Sequence, residues 1–178
     1  MSSIAKGLRR LLDAVYLAAG CLAAVFLVGI LLLIVAQMVA RWSGSVLPGG
    51  AEYAGYCMAA SSFLALAYAL NRGAHIRVGL LFNILGRHGR WLELWCLALS
   101  AGLATYFAHY AIRGTYWSWK LNDISQGQDA TPIWIPQLAM SLGTVLIALA
   151  LWDNLVTLLV RGRDNIEGET LETQSHGE

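Results

Sequence analysis

The chain has 178 residues, 57% of them hydrophobic and 13% charged, with a formal net charge of +1. A soluble domain carries about 25% charged residues, so this chain cannot clothe itself in polar surface, and its balanced charge leaves no basic excess for holding nucleic acid. The charges fall in short clusters between long stretches that contain none, which makes hydropathy the primary signal and predicts an all-α integral membrane protein with four transmembrane helices.

The first apolar window covers 14–40, with Gln37 its only strongly polar member, and lies between Asp13 and Arg41. As a helix it extends roughly 40 Å, enough to cross a hydrocarbon core of about 30 Å with tilt. Lys6, Arg9 and Arg10 precede it in the manner of a signal peptide. A signal h-region, however, has only about 7 to 15 apolar residues, so the window reads as a retained span. Ser43, Gly44, Pro48, Gly49 and Gly50 follow and predict a tight turn, making spans one and two an antiparallel hairpin. Arg41 and Glu52 bracket that turn, either paired with each other or facing water separately.

The second span is expected over 53–71. Beyond it Ile76, Leu80 and Ile84 recur every four residues with Leu81 and Leu85 beside them, while Gly79, Asn83, Arg87 and Arg90 take the other face. That pattern predicts a short amphipathic helix over 75–87, lying in the membrane interface between helices two and three. The third span is expected over 92–112. The connection after it holds Lys120, Asn122, Asp123, Ser125, Gln126, Gln128 and Asp129 and so belongs in water. Thr131 is placed to cap the last helix with Pro132 at its first position, and Pro136 to kink its opening. The fourth span is expected over 133–160. Residues 1–163 thus read as one membrane domain, followed by an acidic, solvated tail over 164–178.

Lys and Arg in the short loops set the orientation. Nine of the twelve lie in the N-terminus, the second connection and the C-terminal flank, while Arg41, Arg113 and Lys120 lie in the other two connections. Both termini are therefore expected in the cytoplasm. Trp and Tyr, which prefer the headgroup level, cluster near the expected span ends.

Few residues carry chemistry. Asp153 is the one charge expected inside a span, about 10 Å to the cytoplasmic side of the midpoint. It reads either as a functional intramembrane charge or as a boundary residue paired with Arg72 or Arg90. Cys21, Cys57 and Cys96 lie in three different spans without a Cys-x-x-Cys pair, so neither a disulfide nor a zinc site is expected. Haem between facing histidines needs two at matching depth, and only His109 lies in a span. No cofactor is expected. Small residues at four-residue spacing, among them Gly20 with Ala24, Gly55 with Ala59 and Ala98 with Gly102, let helix backbones approach in lipid. There is no internal repeat of the kind that marks a self-sufficient secondary transporter. The chain reads as a subunit rather than a complete machine.

Glu52-Tyr53, then Phe63 to Leu70 running directly into Asn71-Arg72-Gly73-Ala74-His75-Ile76-Arg77-Val78, resembles the small membrane subunit of tripartite ATP-independent periplasmic (TRAP) transporters, the DctQ-like family. The Arg-Gly-x-His-Ile-x-Val run after a span that opens with Glu is the most specific part. The four-span plan and the Thr131-Pro132-Ile133-Trp134-Ile135-Pro136 opening of the last span extend the resemblance from about Leu8 to Val160. Gly79 departs from it, since family members often carry an acidic or amide residue there, and a polar contact made there in relatives is not carried over. The resemblance implies two partners besides the lipid bilayer. A periplasmic binding protein captures an organic acid, and a large elevator-type permease subunit moves it on a sodium gradient across the bacterial inner membrane. The small subunit is then a non-catalytic scaffold. Glu52, Arg72, Gly73, His75 and Ile76 are expected at the subunit interface, and Asp123, Gln126 and Asp129 where the binding protein docks. A membrane anchor for a redox enzyme and a self-assembling small exporter are the alternatives.

Overall fold

The computed structural model describes residues 3–71 and 89–161. Four helices make up most of them: α1 (Ser3–Trp42), α2 (Gly50–Asn71), α3 (Gly89–Lys120) and α4 (Trp134–Arg161). All four are long and apolar enough to cross a membrane. A continuous helix satisfies every backbone N–H and C=O within itself, which the bilayer interior requires. The amphipathic helix expected over 75–87 lies outside the described residues.

Two helices stop in the same way. At the end of α1, Gly44 takes φ 73°, and its N–H reaches the Arg41 carbonyl at 3.2 Å while Ser45 N–H reaches Ala40 at 2.9 Å. At the end of α3, Asn122 takes φ 51°, its N–H reaches Trp119 at 3.3 Å, and Asp123 N–H reaches Ser118 at 3.0 Å. Both are Schellman caps, with glycine or asparagine in the left-handed position that other side chains resist.

The opening of α4 departs from expectation. Thr131 does not cap it and Pro132 does not begin it. Ser125 N–H donates to the Thr131 carbonyl at 2.8 Å and Ile133 N–H to the Asp123 carbonyl at 3.0 Å. These bonds close 123–133 into a small hairpin with a bridge between Ile124 and Pro132. The first helical bond of α4 runs from Gln137 N–H to the Ile133 carbonyl. Pro136 is then the third helical residue, where an N–H would have no acceptor in the helix, so it demands no kink.

The main helix contacts run α1 with α2, α2 with α4 and α4 with α3. The helices therefore stand as an open row, α1–α2–α4–α3. Only 11% of the central window is buried in each flanking helix, against 50% in α4. Small residues make the close contacts. A Cβ on Gly143 of α4 would lie 2.6 Å from Phe63 Cβ of α2, and one on Gly20 of α1 would lie 2.9 Å from Tyr68 Cγ. Tyr16, Ala67, Leu70, Ala101, Ala150 and Leu151 form a core to which all four helices contribute. The seam between α3 and α4 is partly polar. Thr115 Oγ1 and Ser141 Oγ are 2.7 Å apart, and Trp152 Nε1 donates to Thr105 Oγ1 at 3.0 Å. Each such interhelical bond contributes about 0.6 kcal/mol in a membrane.

Candidate functional site: the connection seated on α2

The hairpin over 123–133 folds onto the first turns of α2. Gly49, at φ 73°, precedes that helix, and its carbonyl accepts the first helical bond from Tyr53 N–H at 3.0 Å. Glu52 sits in the first turn, where a carboxylate complements the helix dipole. One turn on, the Tyr56 hydroxyl lies 2.8 Å from Ser125 Oγ and 2.9 Å from Asp129 Oδ2. An ionised carboxylate can only accept, so the Tyr56 proton goes to Asp129. Ser125 Oγ also accepts from Gly127 N–H at 3.2 Å, and Thr131 Oγ1 lies 3.3 Å from the Tyr53 hydroxyl. Gly127 lacks a side chain for a local reason: a Cβ there would lie 2.7 Å from Glu52 Cγ and 2.9 Å from Asp129 Oδ1.

Burial opposes the charge on Asp129. The hydroxyls of Thr131, Ser125 and Tyr56 and its own backbone N–H favour the charged form more strongly and hold its carboxyl below the ordinary carboxylate value. Only the Tyr56 bond to Oδ2 is fully formed, and Oδ1 is buried without a hydrogen-bond partner among the described residues. Asp129 is therefore turned inward and ties the connection to α2. Asp123 and Gln126 are exposed on the outside of the same hairpin. Glu52 is half-buried beside Gly127 and Arg41 stands exposed, and among the described residues no ion pair joins those two charges.

Toward the opposite ends of the helices, Asp153 is half-buried on α4. It lies close enough to the Tyr16 hydroxyl of α1 to act on it electrostatically, as do Asp13 and Arg9. Tyr16 is 1% exposed, and among the described residues its hydroxyl has no hydrogen-bond partner. Arg72, Gly73, His75 and Ile76 lie outside the described residues, as does the side chain of Arg90. Cys21, Cys57 and Cys96 are free thiols. Among the described residues no group of three or more His, Cys, Asp or Glu converges as metal ligands would.

The sequence reading found Glu52, Asp123, Gln126 and Asp129 but not that Tyr56 holds Asp129 and Ser125. Tyr56 reads in sequence as one more interfacial aromatic, and it meets its partners across 69 and 73 residues of chain.

No curated protein and no solved structure matches the chain. The family model described as tripartite ATP-independent periplasmic transporters, DctQ component, matches residues 30–161. That stretch runs from the middle of α1 to the last residue of α4 and takes in the whole hairpin seated on α2, so the chain, a multi-pass membrane protein, belongs to the DctQ component family of TRAP transporters.

Proposed function

We propose that this chain is the small scaffold subunit of a sodium-driven, binding-protein-dependent secondary transporter that imports an organic acid. Residues 1–163 form its single four-span domain in the bacterial inner membrane. Both termini and the acidic tail over 164–178 face the cytoplasm, following the nine-to-three distribution of Lys and Arg. The hairpin over 123–133 then faces the periplasm and meets the binding protein, with Asp123 and Gln126 as contact residues and Asp129 holding the hairpin in place from beneath. Glu52 and the Arg72-Gly73-Ala74-His75-Ile76 junction take part in assembly with the large permease subunit. Asp153 belongs to the polar group around Tyr16, away from the hairpin, and serves structure, not ion coupling.

The observation that carries this reading is the open row. Two of the four helices leave most of their surface uncovered, so this chain has a broad membrane-embedded surface to offer a larger partner. An affinity-tagged copy, co-expressed with a large permease subunit of a TRAP system from the same genome and extracted in mild detergent, should recover the permease in near-equal amount. Recovery of this chain alone, under conditions in which both proteins are inserted in the membrane, would contradict the scaffold role.

A further inference from the structure

Tyr16 and Leu158 are the largest fully buried side chains among the described residues. Leu158 is hydrocarbon throughout, whereas Tyr16 ends in a hydroxyl that has no hydrogen-bond partner among the described residues. A phenol sealed from solvent without a hydrogen bond bears the full desolvation cost of its O–H, so buried groups of this kind are bonded to protein or to ordered water.

The course of the helices shows which groups the hydroxyl faces. Gly20 packs on Tyr68 and Gly29 lies against Cys57, so α1 and α2 run antiparallel. Gly143 packs on Phe63, and further along Ala150 and Leu151 join Ala67 and Leu70 in the core, so α2 and α4 run parallel. It follows that α1 is antiparallel to α4. Tyr16 shares the core with Ala150 and Leu151, and its ring leans toward the N-terminal end of its own helix, as helical side chains do. That is the direction in which α4 continues from Leu151 to Asp153 and Asn154. Asn154, one turn on from Ala150 and Leu151, lies on the same face of α4 and is 2% exposed. Asp153, next to it and half-buried, acts electrostatically on the Tyr16 hydroxyl, as do Asp13 and Arg9 from one and two turns back along α1.

Asp153 is thus near enough to favour the phenolic proton, yet no direct bond to the hydroxyl is formed. Polar groups that interact beyond direct hydrogen-bond length are the pairs that a water bridges. A buried water takes about two to four polar partners, and the Tyr16 hydroxyl, the Asp153 carboxylate and the Asn154 amide supply three. A carboxylate offers about four acceptor positions, so the other interactions of Asp153 leave room for one more donor.

We propose that Tyr16, Asp153 and Asn154 hold one ordered water molecule that joins α1 to α4. The Tyr16 O–H donates to the water, and the water donates to the Asp153 carboxylate. The inference deepens the structural role given to Asp153 above and rests on it. α1 packs chiefly on α2, so the water gives it a second, polar hold on the row.

Unfolding of the purified chain in mixed micelles reads the bridge as a double-mutant cycle. Tyr16→Phe removes only the hydroxyl and should raise the unfolding equilibrium constant about fivefold, the net worth of one hydrogen bond. In an Asp153→Leu background the same substitution should change it by less than about twofold, because the water has lost the acceptor that holds it. An unchanged or more stable Tyr16→Phe, or an equal loss in both backgrounds, would overturn the bridge; if Asp153→Leu is itself destabilising, Asp153 remains a structural residue. Asp153→Leu as stable as the parent chain would sink the structural reading of Asp153 and the bridge with it. Radiolytic footprinting separates a water from a direct bond, because hydroxyl radicals formed from a bound water oxidise the side chain beside it even where bulk solvent is excluded. Tyr16 should be oxidised in the parent chain, a measurement that stands even where Asp153→Leu fails to fold. Coupling in the cycle without oxidation of Tyr16 would mean a direct bond between phenol and carboxylate and would overturn the water site.

Discussion

Gly143→Ala puts the packing of the row to a quantitative test. The added Cβ would lie 2.6 Å from Phe63 Cβ and 2.7 Å from both the carbonyl carbon and the carbonyl oxygen of Phe63. Ordinary carbon contacts are about 3.5 to 4.0 Å, and the obstacle is partly backbone, so α2 and α4 must separate locally by about 1 Å. Overpacking of this kind costs about 1 to 3 kcal/mol. Replacing a helical glycine by alanine returns about 1 kcal/mol through propensity. Gly55→Ala supplies that gain without the clash, since nothing lies within 4 Å of a Cβ there. The two variants should therefore differ by the overpacking term alone, about 1 to 3 kcal/mol, with Gly143→Ala the less stable. Reversible unfolding of the purified chain in mixed micelles, followed by tryptophan fluorescence, measures that difference. Equal stability, or a more stable Gly143→Ala, would mean that α2 and α4 do not cross at Gly143 and that the α1–α2–α4–α3 order is wrong.

The Asp129 latch has a defined pH window. Its carboxyl is held below the ordinary carboxylate value, so its contribution is complete at neutral pH and is lost only as pH falls beneath about 4. Proteolysis within 121–133 should accordingly be slow at neutral pH and faster in acid, while Asp129→Asn and Tyr56→Phe should be cleaved quickly at neutral pH as well; cleavage rates unaffected by either substitution would remove the latch. Topology is tested by single-cysteine variants made after Cys21, Cys57 and Cys96 are replaced. An impermeant reagent added to intact cells should label Ser45→Cys and Gln126→Cys but not Gly86→Cys, and outside labelling of the last would reverse the orientation. Replacing Arg72 and His75 by Ala should lower recovery of the permease severalfold, whereas full recovery with lost transport would assign that junction to the transport cycle instead of assembly.

The four helices were legible in the sequence because the bilayer makes so blunt a demand: long runs without charge can be little else, and 14–40 sits well inside Ser3–Trp42. The order in which they pack was not. Gly143 looks like Gly55 or Gly102 in the chain, and only the fold shows that Phe63 lies against it while the other two face outward. The Thr131-Pro132 pair carries the local signature of a helix start, and tertiary pairing with Ser125 and Ile124 claimed it for a hairpin instead. At the hairpin, acidic residues were visible as polar surface, but composition does not separate Asp123, which faces out, from Asp129, which is turned in. That distinction depends on Tyr56, 73 residues earlier in the chain.

The central claim is that this chain supports transport without performing it, and reconstitution into liposomes with an imposed sodium gradient tests it most directly. The carboxylate that co-purifies with the binding protein, identified by mass spectrometry and radiolabelled, serves as the transported probe. Liposomes containing this chain alone should show no uptake above empty vesicles. Those containing this chain and the permease, supplied with loaded binding protein, should accumulate the probe, and those containing the permease without this chain should not. Saturable, sodium-dependent uptake by this chain alone would contradict the account and make Asp153 the first residue to mutate.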